Sequence, residues 1–96
     1  MGLKYLITPE LEKTIKKQKK KDLPTFIALY KKITEIINSD EESIQHYKNL
    51  RVPLNEYKRV HINKSFVLIF SFDKNSKKLV FHELTHHDQA YKKRLF

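Results

Sequence analysis

Apolar residues in the N-terminal half of the chain recur with the spacing of α-helices. An alternating segment at residues 3–7 predicts a short strand, and residues 8–9, a threonine followed by a proline, suit the cap and first turn of a helix. That helix is predicted to end in the lysine-rich run 16–21. A second helix is predicted to begin at residues 22–24, and its apolar positions are Phe26, Ile27, Leu29, Tyr30, Ile33, Ile36 and Ile37. The two helices are expected to form a hairpin, followed by one more helical turn at 43–48.

In the C-terminal half the hydrophobic pattern changes to the alternation typical of β-strands. Residues 57–62 alternate, residues 65–72 are apolar on both faces, as in a central strand, and residues 78–85 predict a third strand. Residues 86–94 are predicted to form a short helix. The whole pattern predicts an α+β fold, in which an N-terminal helical hairpin packs on a small antiparallel sheet with a short C-terminal helix. We expect residues 1–96 to form a single domain.

The turn between the first two of these strands determines which side chains share a face. Asn63 and Lys64 suit a two-residue turn, because asparagine tolerates a positive φ angle. With that turn His61 lies opposite Phe66, and directly opposed residues lie on the same face. The residues expected on this basic and aromatic face are Tyr57, Arg59, His61 and Phe66. The reverse face, against the helices, is expected to carry Val60, Val67 and Ile69.

Composition narrows the classes of protein to which the chain can belong. It has 96 residues, no cysteine and one glycine, which excludes a disulfide scaffold, a thiolate zinc site and the glycine-rich loops that hold phosphates. No apolar run approaches the ~18–20 residues that span a membrane, and the N-terminus lacks the long apolar stretch of a signal peptide. We therefore expect a small, soluble, cytoplasmic protein that does not bind membranes.

The balance of charge points to acidic partners. Lys and Arg number 20 and Asp and Glu 11, which gives a formal net charge of +9. Such an excess favours polyanions, and nucleic acids are the commonest of these in a cell. An acidic protein that neutralises the surface is a second interpretation, and a solvated lysine-rich surface without a specific partner is a third.

One five-residue string, at residues 82–86, matches the H-E-x-x-H pattern of zinc proteases. In those enzymes the two histidines lie one turn apart on a helix, and the glutamate is the base. Here the string follows the alternating residues 79–81, and only ten residues come after His86. We therefore predict a strand end that carries polar residues and no metal site, with a zinc protease as the alternative.

A second set of residues has the chemistry of RNA cleavage without a metal or another cofactor. His61 lies on the predicted basic and aromatic face, and His87 and Tyr91 lie one turn apart on the predicted terminal helix. One imidazole can take the proton of a ribose 2′-hydroxyl while a second acid protonates the leaving 5′-oxygen. Arg59 or Lys64 can stabilise the charge on the phosphate, and aromatic rings can stack on unpaired bases. The alternative is that His61 is an ordinary surface histidine and Tyr91 a core residue of the helix.

Three stretches of the sequence resemble the RelE/ParE superfamily of toxins, in particular its YafQ-like branch. Residues 57–70, YKRVHINKSFVLIF, resemble the central hairpin of these proteins. Residues 86–93, HHDQAYKK, are similar to the C-terminal motif of the branch, and residues 52–54, VPL, resemble the segment before the hairpin. The predicted order of helices and strands also agrees with the RelE-like fold.

The resemblance implies the toxin of a type II toxin–antitoxin system, an endoribonuclease (mRNA interferase) that cleaves messenger RNA in the decoding site of the ribosome. In that family the 2′-oxygen attacks the adjacent phosphorus and leaves a 2′,3′-cyclic phosphate and a 5′-hydroxyl end. The implied partners are the ribosome, its mRNA and an acidic, partly disordered antitoxin. The alternatives are a non-enzymatic inhibitor with the RelE/ParE fold and a plain RNA-binding module.

The resemblance also assigns roles to individual residues. It implies His87 as the general acid, His61 as the base or a ligand of the phosphate, and Tyr91 as the C-terminal aromatic residue of the site. The residues implied to bind substrate are Lys58, Arg59, Lys64 and Phe66. Two positions depart from the branch, since Ser65 stands where some members carry a carboxylate and Val52 where another histidine is found.

Overall fold

Helices and strands follow one another in the predicted order within residues 2–86, the part of the chain that the computed structural model describes. In chain order they are β1 (Lys4–Ile7), α1 (Pro9–Lys21), α2 (Leu23–Ile37), α3 (Glu41–Gln45), β2 (Lys58–His61), β3 (Phe66–Asp73) and β4 (Lys78–His86). The α+β fold with its N-terminal helical hairpin is thereby confirmed. The helix predicted over 86–94 lies outside the described residues, apart from His86 at the end of β4. No helix among residues 2–86 is long and apolar enough to cross a membrane.

Side-chain caps fix the points at which the helical hairpin begins and turns. The hydroxyl oxygen of Thr8 accepts a hydrogen bond from the amide of Leu11 at 3.2 Å, at the start of α1. Asp22 is the single residue between α1 and α2, and its carboxylate accepts a hydrogen bond from the amide of Thr25 at 3.3 Å. Residues 19–21, all lysine, lie in the last turn of α1, where positive charge complements the helix dipole. These interactions are local, which explains why the limits of the helices were predictable.

The four strands form one sheet in the order β1-β4-β3-β2, which places β1 and β2 at its edges. β2, β3 and β4 pair antiparallel as predicted, whereas β1 pairs parallel with β4. The sheet is therefore mixed, because the long connection between β1 and β4 brings the chain back in the same direction.

The main core lies between the helices and one face of the sheet, which is called the helix side below. Its buried members are Leu11, Leu29, Ile33, Ile36, Ile44, Leu68, Phe70, Leu79 and Phe81. Phe70 and Phe81 lie opposite each other on β3 and β4, with ring centroids 6.0 Å apart. Burial of one side chain of this kind contributes ~1.5–3 kcal/mol, so the core fixes the sheet against α1 and α2.

The β2–β3 hairpin differs from the predicted one in register. His61 lies opposite Val67 and not opposite Phe66, because the loop spans Asn63 to Ser65 rather than two residues. The side-chain oxygen of Asn63 accepts hydrogen bonds from the amides of Ser65 and Phe66, at 2.8 and 3.0 Å, and so stabilises the longer loop. The predicted two-residue turn is therefore wrong.

The observed register changes which side chains face the helices. Phe66 lies on the helix side with Leu68, and so it does not share a face with His61 as predicted. Val67 and Ile69 point away from the helices, which also corrects the prediction. The sheet surface turned away from α1 and α2 is called the distal face below. Its members include Arg59, His61, Val67, Ile69, Ser71, His82, Glu83 and Thr85.

A loop covers part of the distal face. Leu50 packs on Val67 and Ile69, which are fully buried, and Leu54 and Tyr57 lie against the same cluster. β3 is therefore buried on both sides, which explains why apolar residues follow one another along it.

Candidate active site

Two residues of the predicted site, Arg59 and His61, lie side by side on the distal face. They occupy alternate positions of β2, so both side chains project from the same side of the sheet. His61 is exposed at the end of the strand, and Arg59 is half-buried. An imidazole and a guanidinium thus project from the same face of an edge strand, as the alternation of β2 predicts.

The neighbouring strands add an apolar strip and a carboxylate to this surface. Arg59 lies opposite Ile69 on β3, and Ile69 lies opposite Glu83 on β4. In the adjacent row, His61 on β2 and Thr85 on β4 lie on either side of Val67, which is buried. Charged and polar groups therefore stand on both sides of a buried, apolar part of β3.

A β-bulge in β4 brings two successive residues to the distal face. Ile69 pairs with Glu83, but the next residue, Phe70, pairs with Phe81, so His82 is the extra residue of the bulge. His82 and Glu83 both face away from the helices as a result. Glu83 was not predicted as a member of this face, because regular alternation gives no sign of the bulge.

His82 lies in a half-buried environment toward the other end of the distal face from His61. Its Nε2 atom is 2.8 Å from the hydroxyl oxygen of Ser71, and its ring meets that of Tyr57 edge to face, with centroids 5.1 Å apart. Burial lowers the pKa of His82, while the negative charges of Glu83 and Glu56 oppose that effect. Burial thus favours the neutral imidazole, which suits a hydrogen bond with serine better than it suits binding a phosphate.

The two histidines of the H-E-x-x-H string lie on opposite faces of the sheet. His82 is on the distal face, whereas His86 pairs with Phe66 and stacks on its ring, with centroids 4.6 Å apart. The segment is a strand, as predicted, and not the helix that a zinc protease requires. The two imidazoles cannot hold one metal ion together, so the zinc-protease interpretation is wrong.

Lys64 and Phe66 lie on either side of the same hairpin tip. Lys64 is exposed in the loop between β2 and β3. Phe66 lies on the helix side, where it lines a cleft of about 530 Å³ together with Lys17 and Lys21 of α1. The lysines of α1 and the aromatic ring of the hairpin thus share one cleft, which the sequence pattern did not reveal.

Lys58 faces the helix side of β2, and its ammonium group is used within the protein. Its Nζ atom donates to the main-chain oxygen of Tyr47 and to the side-chain oxygen of Asn49, both at 3.2 Å. Burial lowers the pKa of Lys58, and the positive charge of Lys74 adds to that effect. Lys58 therefore points away from Arg59 and His61, and two of the three N–H donors of its ammonium group are used within the protein.

Two predicted catalytic residues, His87 and Tyr91, lie outside the described residues. Their convergence with His61 stays a prediction. The last described residue, His86, pairs with the first residue of β3, at the same end of the sheet as His61.

The chain is similar in sequence to one named toxin and in structure to several others. No family model matches the sequence. A Methanocaldococcus jannaschii protein named “Putative toxin RelE4” is 48% identical over 88 residues, which are 92% of this chain and 89% of that protein. YoeB in its Staphylococcus aureus dimer has a TM-score of 0.71 at 14% identity, covering 91% of this chain and 99% of that chain. In the E. coli DinJ–YafQ toxin–antitoxin complex, the matching chain has a TM-score of 0.67 at 18% identity, covering 92% of this chain and 96% of that chain.

The similarity in structure and the similarity in sequence support different conclusions, one about the fold and the other about the family. The structural likeness to YoeB and to the DinJ–YafQ complex, at low identity, shows the fold. The 48% identity to RelE4 over nearly the whole of both chains shows the family. The chain belongs to the RelE family of toxins from toxin–antitoxin systems, with the fold of YafQ and YoeB.

Proposed function

We propose that the chain is a metal-independent endoribonuclease that cleaves messenger RNA on the ribosome. The observation that carries this proposal is the position of His61, an exposed imidazole next to Arg59 on one face of the sheet. Cleavage of a ribose phosphate needs a proton-transfer group beside a fixed positive charge. Membership of the RelE toxin family supports the same activity.

The proposed reaction begins when the ribose 2′-oxygen attacks the adjacent phosphorus. A base on the enzyme takes the 2′-hydroxyl proton, and the bond from phosphorus to the 5′-oxygen breaks. His87 protonates the leaving oxygen, Tyr91 is the C-terminal aromatic residue of the site, and His61 serves as the base or as a ligand of the phosphate. Arg59 stabilises the negative charge on the phosphate oxygens. The products are a 2′,3′-cyclic phosphate and a 5′-hydroxyl end.

Positive and aromatic groups around the hairpin tip hold the RNA in this proposal. Lys64 is exposed beside the site and contacts a phosphate, and Phe66 stacks on an unpaired base. Lys58, on the helix side of β2, adds a phosphate contact beside the two hydrogen bonds that its ammonium group makes within the protein. The lysine-rich run 16–21 on α1 binds phosphates of ribosomal RNA.

The proposed partner is an acidic antitoxin that neutralises the toxin. The formal net charge of +9 favours association with an acidic chain, because complementary charge speeds encounter and selects the partner. YafQ forms a toxin–antitoxin complex with DinJ. We propose that this chain likewise binds a partly disordered antitoxin, in the cytoplasm where its ribosomal target lies.

Ribosomes that carry a defined mRNA provide the test of this function. We expect the wild-type protein to cut the message, and His61→Ala and His87→Ala each to abolish cutting. His46→Ala, a change at an exposed histidine at the end of α3, is the matched control and should cleave like the wild type. Intact message with the wild-type protein would contradict the proposal.

A non-enzymatic inhibitor with the same fold is the second candidate. Two exposed positions lack the carboxylate and the histidine that some members of the YafQ-like branch carry there. They are Val52 and Ser65, in the loops before and after β2. Growth arrest with intact transcripts would favour this candidate. Salt-sensitive RNA binding without cleavage or toxicity would favour a plain RNA-binding module instead.

A further inference from the structure

A carboxylate of β4 lies on the same surface as His61 and Arg59, and the proposed reaction needs a base. We propose that Glu83 is the general base that takes the proton from the ribose 2′-hydroxyl. The inference rests on the proposed function, and it leaves His61 the role of holding the phosphate.

Glu83 and Arg59 stand at the two ends of one row across the sheet, with Ile69 between them. Because neighbouring strands lie ~4.8 Å apart, the Cα atoms of the two residues are on the order of 10 Å apart, and their long side chains can reach one phosphate group from both sides. His61 lies two positions from Arg59 on β2 and begins the adjacent row. It therefore approaches the same phosphate from a third direction.

The sheet surface between these groups is apolar. Val67 and Ile69 are fully buried beneath Leu50, with Leu54 and Tyr57 against the same cluster, so packed apolar side chains lie between the charged residues and little water lies beneath them. Charges near such a surface interact more strongly than charges in bulk water. His82, the residue before Glu83, faces the same side of the sheet, and the negative charge of Glu83 opposes the lowering of its pKa by burial.

The β-bulge turns Glu83 toward this face. Leu79 and Phe81 belong to the main core, and regular alternation from them would place Glu83 on the helix side as well. The extra residue, His82, reverses the alternation. The hydroxyl of Thr8 donates to the main-chain oxygen of His82 at 2.7 Å and so fixes the backbone there. Bulges are over-represented next to active sites, where they re-aim a side chain.

Two other carboxylates near the sheet are less well placed for this role. Glu56 lies in an exposed loop segment before β2. Asp73 ends β3 at the opposite end from His61, and its carboxylate accepts a hydrogen bond from the amide of Asn75 at 2.9 Å. Of the three, Glu83 is the one that shares a row with the arginine of the site.

In the proposed step a carboxylate oxygen of Glu83 takes the 2′-hydroxyl proton as the 2′-oxygen forms its bond to phosphorus. The bond from phosphorus to the 5′-oxygen breaks, and the leaving oxygen takes a proton from the general acid, for which His87 is proposed. The base ends the step protonated and the acid deprotonated, and proton exchange with water restores both. A positioned carboxylate is one of the side-chain groups that act as general bases.

The test compares Glu83→Gln with the wild-type protein in single-turnover cleavage of mRNA on programmed ribosomes, across a range of pH. We expect the rate to fall about 10²–10⁴-fold, the usual contribution of general acid–base catalysis. We also expect the variant to lose the decline in rate on the acidic side of the profile. Binding of an analogue with 2′-deoxy nucleotides, which cannot react, should be unchanged. Glu56→Gln is the matched control and should cleave like the wild type.

Two results would overturn the assignment of Glu83. One is cleavage by Glu83→Gln at the wild-type rate. The other is a Glu83→Gln variant that cleaves more slowly but keeps the shape of the wild-type pH profile, and whose melting temperature or affinity for the 2′-deoxy analogue is lower. Glu83 would then act only through the structure around Arg59. If the wild-type protein fails to cleave, the proposed function is wrong and the assignment of Glu83 is lost with it. That result differs from the two above, because in each of them the wild-type protein cleaves the message.

Discussion

The side-chain amide of Asn63 donates a hydrogen bond to the hydroxyl of Thr25 over 2.9 Å, although the two residues are 38 positions apart. That hydroxyl in turn donates to the carboxylate of Asp22 over 2.7 Å, at the turn between the two helices. The loop that carries Lys64, and that follows His61, is therefore tied to the start of α2. The helical hairpin positions the candidate site through this short chain of hydrogen bonds.

Replacement of Thr25 by valine tests this link, because valine keeps the volume and removes the hydroxyl. We expect Thr25→Val to lower the free energy of unfolding by ~1–3 kcal/mol, since both hydrogen bonds of the hydroxyl are lost and one of them is to a charged carboxylate. Thr34→Val makes the same change at an exposed position of the same helix and should have little effect. Urea unfolding measures both. Equal stability of the two variants would show that the hydrogen bonds of Thr25 contribute nothing.

Truncation in the main core tests the packing of α2 on the sheet. Leu29 is fully buried, so we expect Leu29→Ala to reduce the free energy of unfolding by ~2–5 kcal/mol through lost burial and a cavity. Leu23→Ala in the same helix is the control, because Leu23 is 51% exposed. Thermal and urea unfolding of the two proteins give the comparison. A smaller loss for Leu29→Ala than for Leu23→Ala would contradict the described core.

The environment of His82 predicts a loss of stability in mild acid. Burial lowers its pKa in the folded protein, so the unfolded chain binds a proton more readily than the folded one. The stability that His82 contributes is therefore fully present above its unfolded pKa of about 6.5 and is lost as the pH falls toward the lowered folded value. We expect His82→Gln to weaken this pH dependence, and His46→Gln, at an exposed site, to leave it intact. Parallel curves for His82→Gln and the wild type, in urea unfolding at a series of pH values, would refute the prediction.

Lys64 is expected to contribute one phosphate contact to RNA binding. Lys64→Gln should weaken binding to single-stranded RNA and reduce the slope of log affinity against log salt concentration by about 0.7. Lys77→Gln is the matched control in the turn between β3 and β4, because Lys77 forms an ion pair with Glu41 at 2.7 Å. Binding isotherms at several salt concentrations provide the slopes. An unchanged slope for Lys64→Gln would place the RNA elsewhere.

The parts of the fold that depend on local interactions were predictable from the sequence. Thr8 and Asp22 cap helices whose apolar residues recur with the helical period, and the structure has both helices within the expected ranges. Alternation along β2 likewise predicted that Arg59 and His61 share a face. In each case the determining contacts lie within one turn of helix or one strand.

The parts that depend on distant contacts were not predictable in the same way. The register of β2 and β3 was missed because Asn63 caps a longer loop while its amide reaches Thr25. One residue of register then moved Phe66 to the other face of the sheet. The bulge at His82 was missed for a similar reason, since Thr8, far away in sequence, supports its backbone. Glu83 joined the candidate site only through that bulge.

The chemistry of the RNA ends tests the central claim, that the distal face of β2 cleaves RNA through attack by the 2′-oxygen. Message bound to ribosomes is treated with the wild-type protein or with His61→Ala, and the ends of the fragments are identified by mass spectrometry. We predict 2′,3′-cyclic phosphate and 5′-hydroxyl ends with the wild-type protein and full-length message with His61→Ala. Full-length message with both proteins, or fragments that end in a 3′-hydroxyl, would contradict the account.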